Sequence, residues 1–155
     1  MIIKSGQAIA IFIVFSLLSL TLASQQGFAQ SKYYEDMFLG GVTAGGYSAV
    51  YNGGGTGAFT LNIAAGSTIR KAFLIVGRHG NPANITVTLN GISYTFSSAN
   101  QVSSTFQSPS YGGNSGVHLI DVTADINPSV NSYSLVVPSQ SGPSNRYNDF
   151  CLYVA

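Results

Sequence analysis

The dipeptide Asn90-Gly91, set between two runs of alternating apolar residues, constrains this chain more than any other short segment in it. A two-residue loop joining antiparallel strands needs positive φ at both positions, which Asn tolerates and Gly adopts without steric cost. Pairing outward from the loop sets Leu89 against Ile92, Val87 against Tyr94 and Ile85 against Phe96, so these six apolar side chains share one face. Thr86, Thr88, Ser93 and Thr95 fall on the other. Turn chemistry and apolar register agree, which predicts a hairpin with one face in a core.

Period-two alternation recurs elsewhere, in Phe59, Leu61 and Ile63, while Ala72 to Val76 is a continuous apolar run of the kind found in a central strand. Further strands are expected at 47–51, 117–122, 132–137 and 149–154, and a weaker one at 102–106. No stretch after the N-terminal segment sustains the spacing of a long amphipathic helix. Thr123 is expected to cap a short helical turn through Asp125, ended by Pro128. About eight short strands divided by Gly/Ser/Asn loops predict an all-β protein, an antiparallel β-sandwich with jelly-roll topology.

The first 29 residues have the layout of a secretory signal peptide. Lys4 supplies the positive start, Ala8 to Leu22 the apolar stretch, and Gly27-Phe28-Ala29 the small residues before a cleavage point after Ala29. Ser16, Ser19 and Thr21 interrupt the apolar stretch, which is short for a bilayer span. The expected organisation is a signal peptide over 1–29, an N-terminal extension over 30–46 and the sandwich over 47–155. The expected location is secreted or at the cell surface, with no membrane association once the signal is removed.

Beyond residue 29 the basic residues Lys32, Arg70, Lys71, Arg78 and Arg146 balance the acids Glu35, Asp36, Asp121, Asp125 and Asp149. With no basic stripe to neutralise phosphates, nucleic acid is excluded as an expected partner. Low charge opposes self-association only weakly. Cys151 is the only cysteine, so stability rests on the apolar core. Its neighbours Phe150 and Leu152 suggest a buried small hydrophobe rather than a reactive thiol.

The order Val87-Thr88-Leu89-Asn90-Gly91, then His118 to Thr123, then Ser132 to Val137 resembles the strand progression of galactose-binding-like jelly rolls. It is also similar to β-sandwich modules near the N-terminus of large secreted bacterial surface proteins. The resemblance covers Ile69 to Val154 and implies the fold more than it implies sugar binding.

Catalytic groups are sparse. Gly113-Asn114-Ser115-Gly116 superficially matches the nucleophile loop of chymotrypsin-like proteases, yet no acid stands between His79 and Ser115, and a Gly/Asn/Ser loop tip explains the segment. His118 and Asp121 fall on opposite faces of a strand, and His118 is expected to be exposed or half-buried. No cofactor is expected; a structural calcium held near Asp121, Asp125 and Asn127, or by Asn145, Asn148 and Asp149, is the alternative. Asp121 is otherwise expected to bond backbone amides at the helical turn. Tyr111, and Tyr147 beside Asn145 and Arg146, offer aromatic faces with amides and a guanidinium nearby, suited to a sugar ring or a protein contact.

The expected function is therefore a non-catalytic secreted or cell-surface module in adhesion, surface structure or assembly. Its partners would be surface glycans, other surface proteins or further copies of itself. A carbohydrate-binding module using loop aromatics is the alternative, and a secreted hydrolase the distant third. Because the strand at 149–154 runs to Ala155 without a turn, the sandwich is expected to be cut short there and to leave that strand without a neighbour.

Overall fold

The computed structural model describes residues 32–49, 54–103, 106–108, 113–141 and 145–155. The signal segment with its cleavage point at Ala29, and Tyr111, lie outside them. Among the described residues there are nine strands: β1 (Thr43–Tyr47), β2 (Gly55–Thr60), β3 (Ala72–His79), β4 (Ile85–Leu89), β5 (Ile92–Phe96), β6 (Phe106–Ser108), β7 (Gly113–Asp121), β8 (Ser132–Val137) and β9 (Arg146–Val154). They form a five-stranded sheet in the order β1-β9-β3-β7-β6 and a four-stranded sheet in the order β2-β8-β4-β5, with every paired neighbour antiparallel. Apart from the short β6, the pairs nest as β1 with β9, β2 with β8, β3 with β7 and β4 with β5. This is the jelly roll.

The hairpin has the register read from its turn, Leu89 against Ile92 through Ile85 against Phe96. Asn90 and Gly91 have φ of 49° and 87°. Ile85, Val87, Leu89 and Phe96 enter the core, and Ile92 stays exposed at the rim. The facing sheet contributes Leu74, Val76, Phe150, Leu152 and Val154 to the same cluster.

Several expectations change. The sandwich begins at Thr43 rather than Tyr47, because Thr43-Ala44-Gly45-Gly46-Tyr47 pairs residue by residue with Val154 to Phe150. β9 is therefore bonded on both sides, to β1 and to β3, and the strand expected to lack a neighbour is interior to its sheet. Few apolar side chains mark β1, since its glycines serve close packing: a Cβ on Gly45 would lie 3.0 Å from Phe59 Cβ. The weak strand near Phe106 runs over Phe106–Ser108, and Gln101 forms an isolated bridge with His118.

The helical turn is a 3₁₀ segment, Thr123–Asp125, and Thr123 does not cap it. Asp121 does that work, accepting from the Thr123 amide at 3.0 Å and from its hydroxyl at 2.5 Å. The Thr123 hydroxyl oxygen in turn accepts from the Ala72 amide at 2.9 Å, tying the turn to β3.

Loops gather at two ends. The hairpin end holds Asn90-Gly91, the β2–β3 connection and residues 122–131. The opposite end holds residues 80–84, the Ser97–Ser103 segment and the start of β9.

Candidate functional site

Alternation along β3 sends Ala72, Leu74 and Val76 inward, and Arg78 follows in the same series. Its cross-strand partners are Gly116 on β7 and Tyr147 on β9. Two residues along β7 from Gly116, His118 also points inward, opposite Val76. Arg78, His118 and Tyr147 thus meet on the inner face where the core gives way to the loops. Gln101 joins them: a Cβ on Gly116 would touch the Arg78 guanidinium and, at 3.6 Å, the Gln101 carboxamide carbon.

His118 is 0 % exposed, not the half-exposed strand residue expected. Burial is affordable because Nδ1 donates to the Ser97 carbonyl at 2.8 Å, an acceptor supplied by the segment after β5. Burial pushes the imidazole pKa below its ordinary value and the nearby Arg78 charge pushes the same way, against the opposing effect of the Ser97 bond. Neutral His118 with a proton on Nδ1 leaves Nε2 as a lone-pair acceptor, and that atom is buried without a partner. Arg78 is half-buried, and its Nε and Nη2 are likewise buried and unbonded.

Tyr147 is corrected too. At 2 % exposure it is a core side chain, its ring 5.2 Å from His118 edge-on and 6.0 Å from Phe96. It cannot be a rim platform for a sugar. A bulge is the cause: the register of β9 on β3 slips between Val76 and Gly77, and Asp149 adopts φ of 54°. The extra residue reverses the alternation, so Phe150 and Tyr147 both face inward. Asn145 and Arg146 therefore do not share a surface with the Tyr147 ring. Asn145 accepts from the Asn81 amide at 2.8 Å, and Arg146 stands opposite His79. Cys151 is half-buried on the outer face, beside Ile75, rather than in the core, and burial raises its thiol pKa. His79 and Ser115 are cross-strand partners at the end of β3 and β7.

The proposed calcium ligands have separate engagements except Asn148, whose Oδ1 is buried without a hydrogen-bond partner. Asp121 accepts from Lys71 Nζ at 2.6 Å, Asp125 accepts from the Tyr94 hydroxyl, and Asn127 Oδ1 accepts from the Ser129 amide at 2.9 Å. Asp149 accepts from the Ser48 hydroxyl at 2.7 Å, and Asn145 is taken up as above. Among the described residues no group of three His, Cys, Asp or Glu side chains is placed to share a metal ion. Also among them, no helix is long and apolar enough to cross a membrane.

At the hairpin end the N-terminal segment crosses the outer face of the larger sheet. Tyr34 packs edge-on against Phe73 at 5.5 Å, and Arg70 forms an ion pair with Asp36. Hydrogen bonds from Arg70 and from the Tyr34 hydroxyl hold the Asp36 carboxyl well below the usual carboxylate range. A cleft of about 490 Å³ opens between residues 38–43 and the β2–β3 connection.

Compared with known protein families, with curated proteins and with solved structures, the chain matches none of them.

Proposed function

We propose that this chain is an exported, non-catalytic β-sandwich module that works through its surface in adhesion, surface structure or assembly. Export is supported by the signal-like layout of residues 1–29, and the resemblance of Ile69 to Val154 to modules of secreted surface proteins agrees with it.

The observation that carries the reading is the outer face of the four-stranded sheet. None of β2, β4, β5 and β8 contains a charged residue. Their outward positions are short and mostly hydroxylated: Thr88 stands beside Val136, Ser134 beside Ala58, and the Thr86 and Thr95 hydroxyls bond at 2.8 Å. Both edge strands, β2 and β5, lack the lysines that commonly block edge pairing. A neutral, hydroxyl-rich face of this kind suits contact with a glycan layer, another surface protein or a second copy of the chain.

The test is to follow the chain in intact cells and to place one charge on that face. Surface labelling should reach the protein. Thr88→Glu should strongly reduce co-sedimentation with isolated cell envelopes or self-association by light scattering, with the melting temperature retained. A protein confined to the cytoplasm, or a charged face that associates as before, would refute the reading.

A further inference from the structure

An asparagine followed by glycine can react with its own backbone, because no side chain on the glycine shields the amide nitrogen between them. Asn90-Gly91 stands exposed at the tip of the hairpin, and no atom lies within 4 Å of where a Cβ on Gly91 would be. The reaction needs water alone. The Gly91 amide gives its proton to hydroxide, and its nitrogen attacks Asn90 Cγ. The Cγ–Nδ2 bond breaks, ammonia leaves and a five-membered imide remains. Water then opens either carbonyl of the ring. One opening leaves an aspartate at position 90. The other leaves an isoaspartate, in which the main chain runs on through the side-chain carbons.

Ring closure makes a strict geometric demand: the Gly91 nitrogen must swing to the same side of the Cα–C bond as Asn90 Cβ. The φ values of 49° and 87° at the two loop positions are those of a type I′ turn, in which ψ at the first is about 30°. Tetrahedral geometry at an L-residue then sets the nitrogen nearly opposite Cβ, out of reach of Cγ. β8 holds the side chain in place as well. The Asn90 amide donates to the Ser134 carbonyl at 2.9 Å, and Asn90 Oδ1 accepts from the Ser134 amide at 3.1 Å and from its hydroxyl at 3.3 Å. The turn that brings the reactive pair together thus also keeps its atoms apart.

We propose that Asn90 is a deamidation site gated by the fold, protected while the hairpin is bonded to β8 and reactive when that end of the sandwich opens. The two products differ when the end closes again. Aspartate keeps an acceptor for Ser134 and suits the same turn as asparagine. Isoaspartate lengthens the two-residue loop, so Leu89 and Ile92 no longer pair and the register of both strands is lost. A molecule on the isoaspartate branch cannot return, and a passing opening becomes a permanent mark on the chain. None of this depends on the outer sheet face having a partner.

The test is to incubate the folded protein and the urea-unfolded chain side by side in mildly alkaline buffer. Conversion at position 90 is read by mass spectrometry, and the isoaspartate share by labelling with an isoaspartyl methyltransferase. Because only open molecules react, the folded protein should convert at least about tenfold more slowly. Asn52-Gly53, the other Asn-Gly of the sequence, is a reference within the unfolded chain, where both sites should convert alike. Tyr133→Phe, which weakens this end and leaves the Asn90–Ser134 bonds in place, should speed conversion under native conditions. After ageing in urea and refolding, aspartate at position 90 should appear in the cooperatively melting fraction and isoaspartate outside it. Equal rates in the folded and unfolded states would overturn the proposal. So would a destabilised Tyr133→Phe variant that converts no faster, or isoaspartate recovered in the cooperatively melting fraction.

Discussion

The two ends of the sandwich treat polar groups in opposite ways. At the hairpin end each buried or charged group described has a partner: Lys71 with Asp121, Arg70 with Asp36, Tyr94 with Asp125. At the other end Arg78 and His118 are held in the interior with bonding capacity unused. Two tyrosines show how each end is built. Tyr133 is 1 % exposed, and its hydroxyl both donates to the Asn127 carbonyl and accepts from the Asn127 amide, each at 2.8 Å. Tyr147 is as deeply buried, packed against the rings of His118 and Phe96. An end that satisfies itself serves stability. One that does not gives stability up, because an unmet buried donor or acceptor costs folding free energy.

The largest effect expected from this contrast comes from deleting the two hydroxyls. Tyr133→Phe strands a backbone amide and a carbonyl and should cost about 1–3 kcal/mol in denaturant unfolding. Tyr147→Phe should stay within about 0.5 kcal/mol of the parent. Equal losses would erase the distinction between the ends. Next, Gly91→Val forces a β-branched side chain to a φ of 87° and should destabilise by about 1 kcal/mol or more. Thr88→Ser, on the outward face of the same hairpin, should be nearly neutral in a thermal melt.

Acid should separate the ends by the pH at which each begins to weaken. Burial depresses the folded His118 pKa below the ordinary 6.5. The unfolded chain therefore takes up that proton first, and stability falls as pH drops from about 6.5 toward the folded value. Burial alone would raise the Asp121 pKa, but hydrogen bonds from Lys71 and Thr123 outweigh it and hold it below the ordinary 3.8. Its contribution, and that of Asp36, is complete above about 4 and is lost only as pH falls through the lowered folded values. Urea unfolding across this range should show two phases, and His118→Phe should remove the upper one alone. The smallest effect has the opposite sign. Arg78→Met removes a guanidinium whose buried Nε and Nη2 are unbonded and should be neutral or stabilising by up to about 1 kcal/mol. Asp121→Ala, which removes a matched partner and a cap, should destabilise by about 1 kcal/mol.

The hairpin end was legible because its information is local. Asn90-Gly91 dictates a turn, the turn dictates a register, and the register agrees with the apolar pattern. The Arg78 end depends on two things that alternation does not show. The bulge at Asp149 turns Tyr147 inward, although counting back by twos from Val154, Leu152 and Phe150 puts it outward. The only hint was Asn148-Asp149, two residue types that tolerate positive φ. Its polarity puts His118 at an exposed or half-buried strand position, whereas the acceptor that lets it be buried, the Ser97 carbonyl, lies 21 residues away in the chain. Arg78 itself carried a signal: it continues the inward series of Leu74 and Val76, where an arginine is out of place. β1 went unseen because its glycines serve close packing and leave no apolar mark.

β9 lies between β1 and β3, and this sets the order in which the molecule can assemble. The contact between Ser48 and Asp149 joins residues 101 positions apart. The five-stranded sheet therefore lacks the strand that joins β1 to β3 until residues 146–154 emerge from the ribosome. Before then β1 and β3 have nothing to hold them side by side, and such long-range pairing forms slowly. A sheet that stays open until β9 is synthesised leaves the strands before it loosely held while they emerge. In this jelly roll, the late arrival of an interior strand postpones closure of the larger sheet.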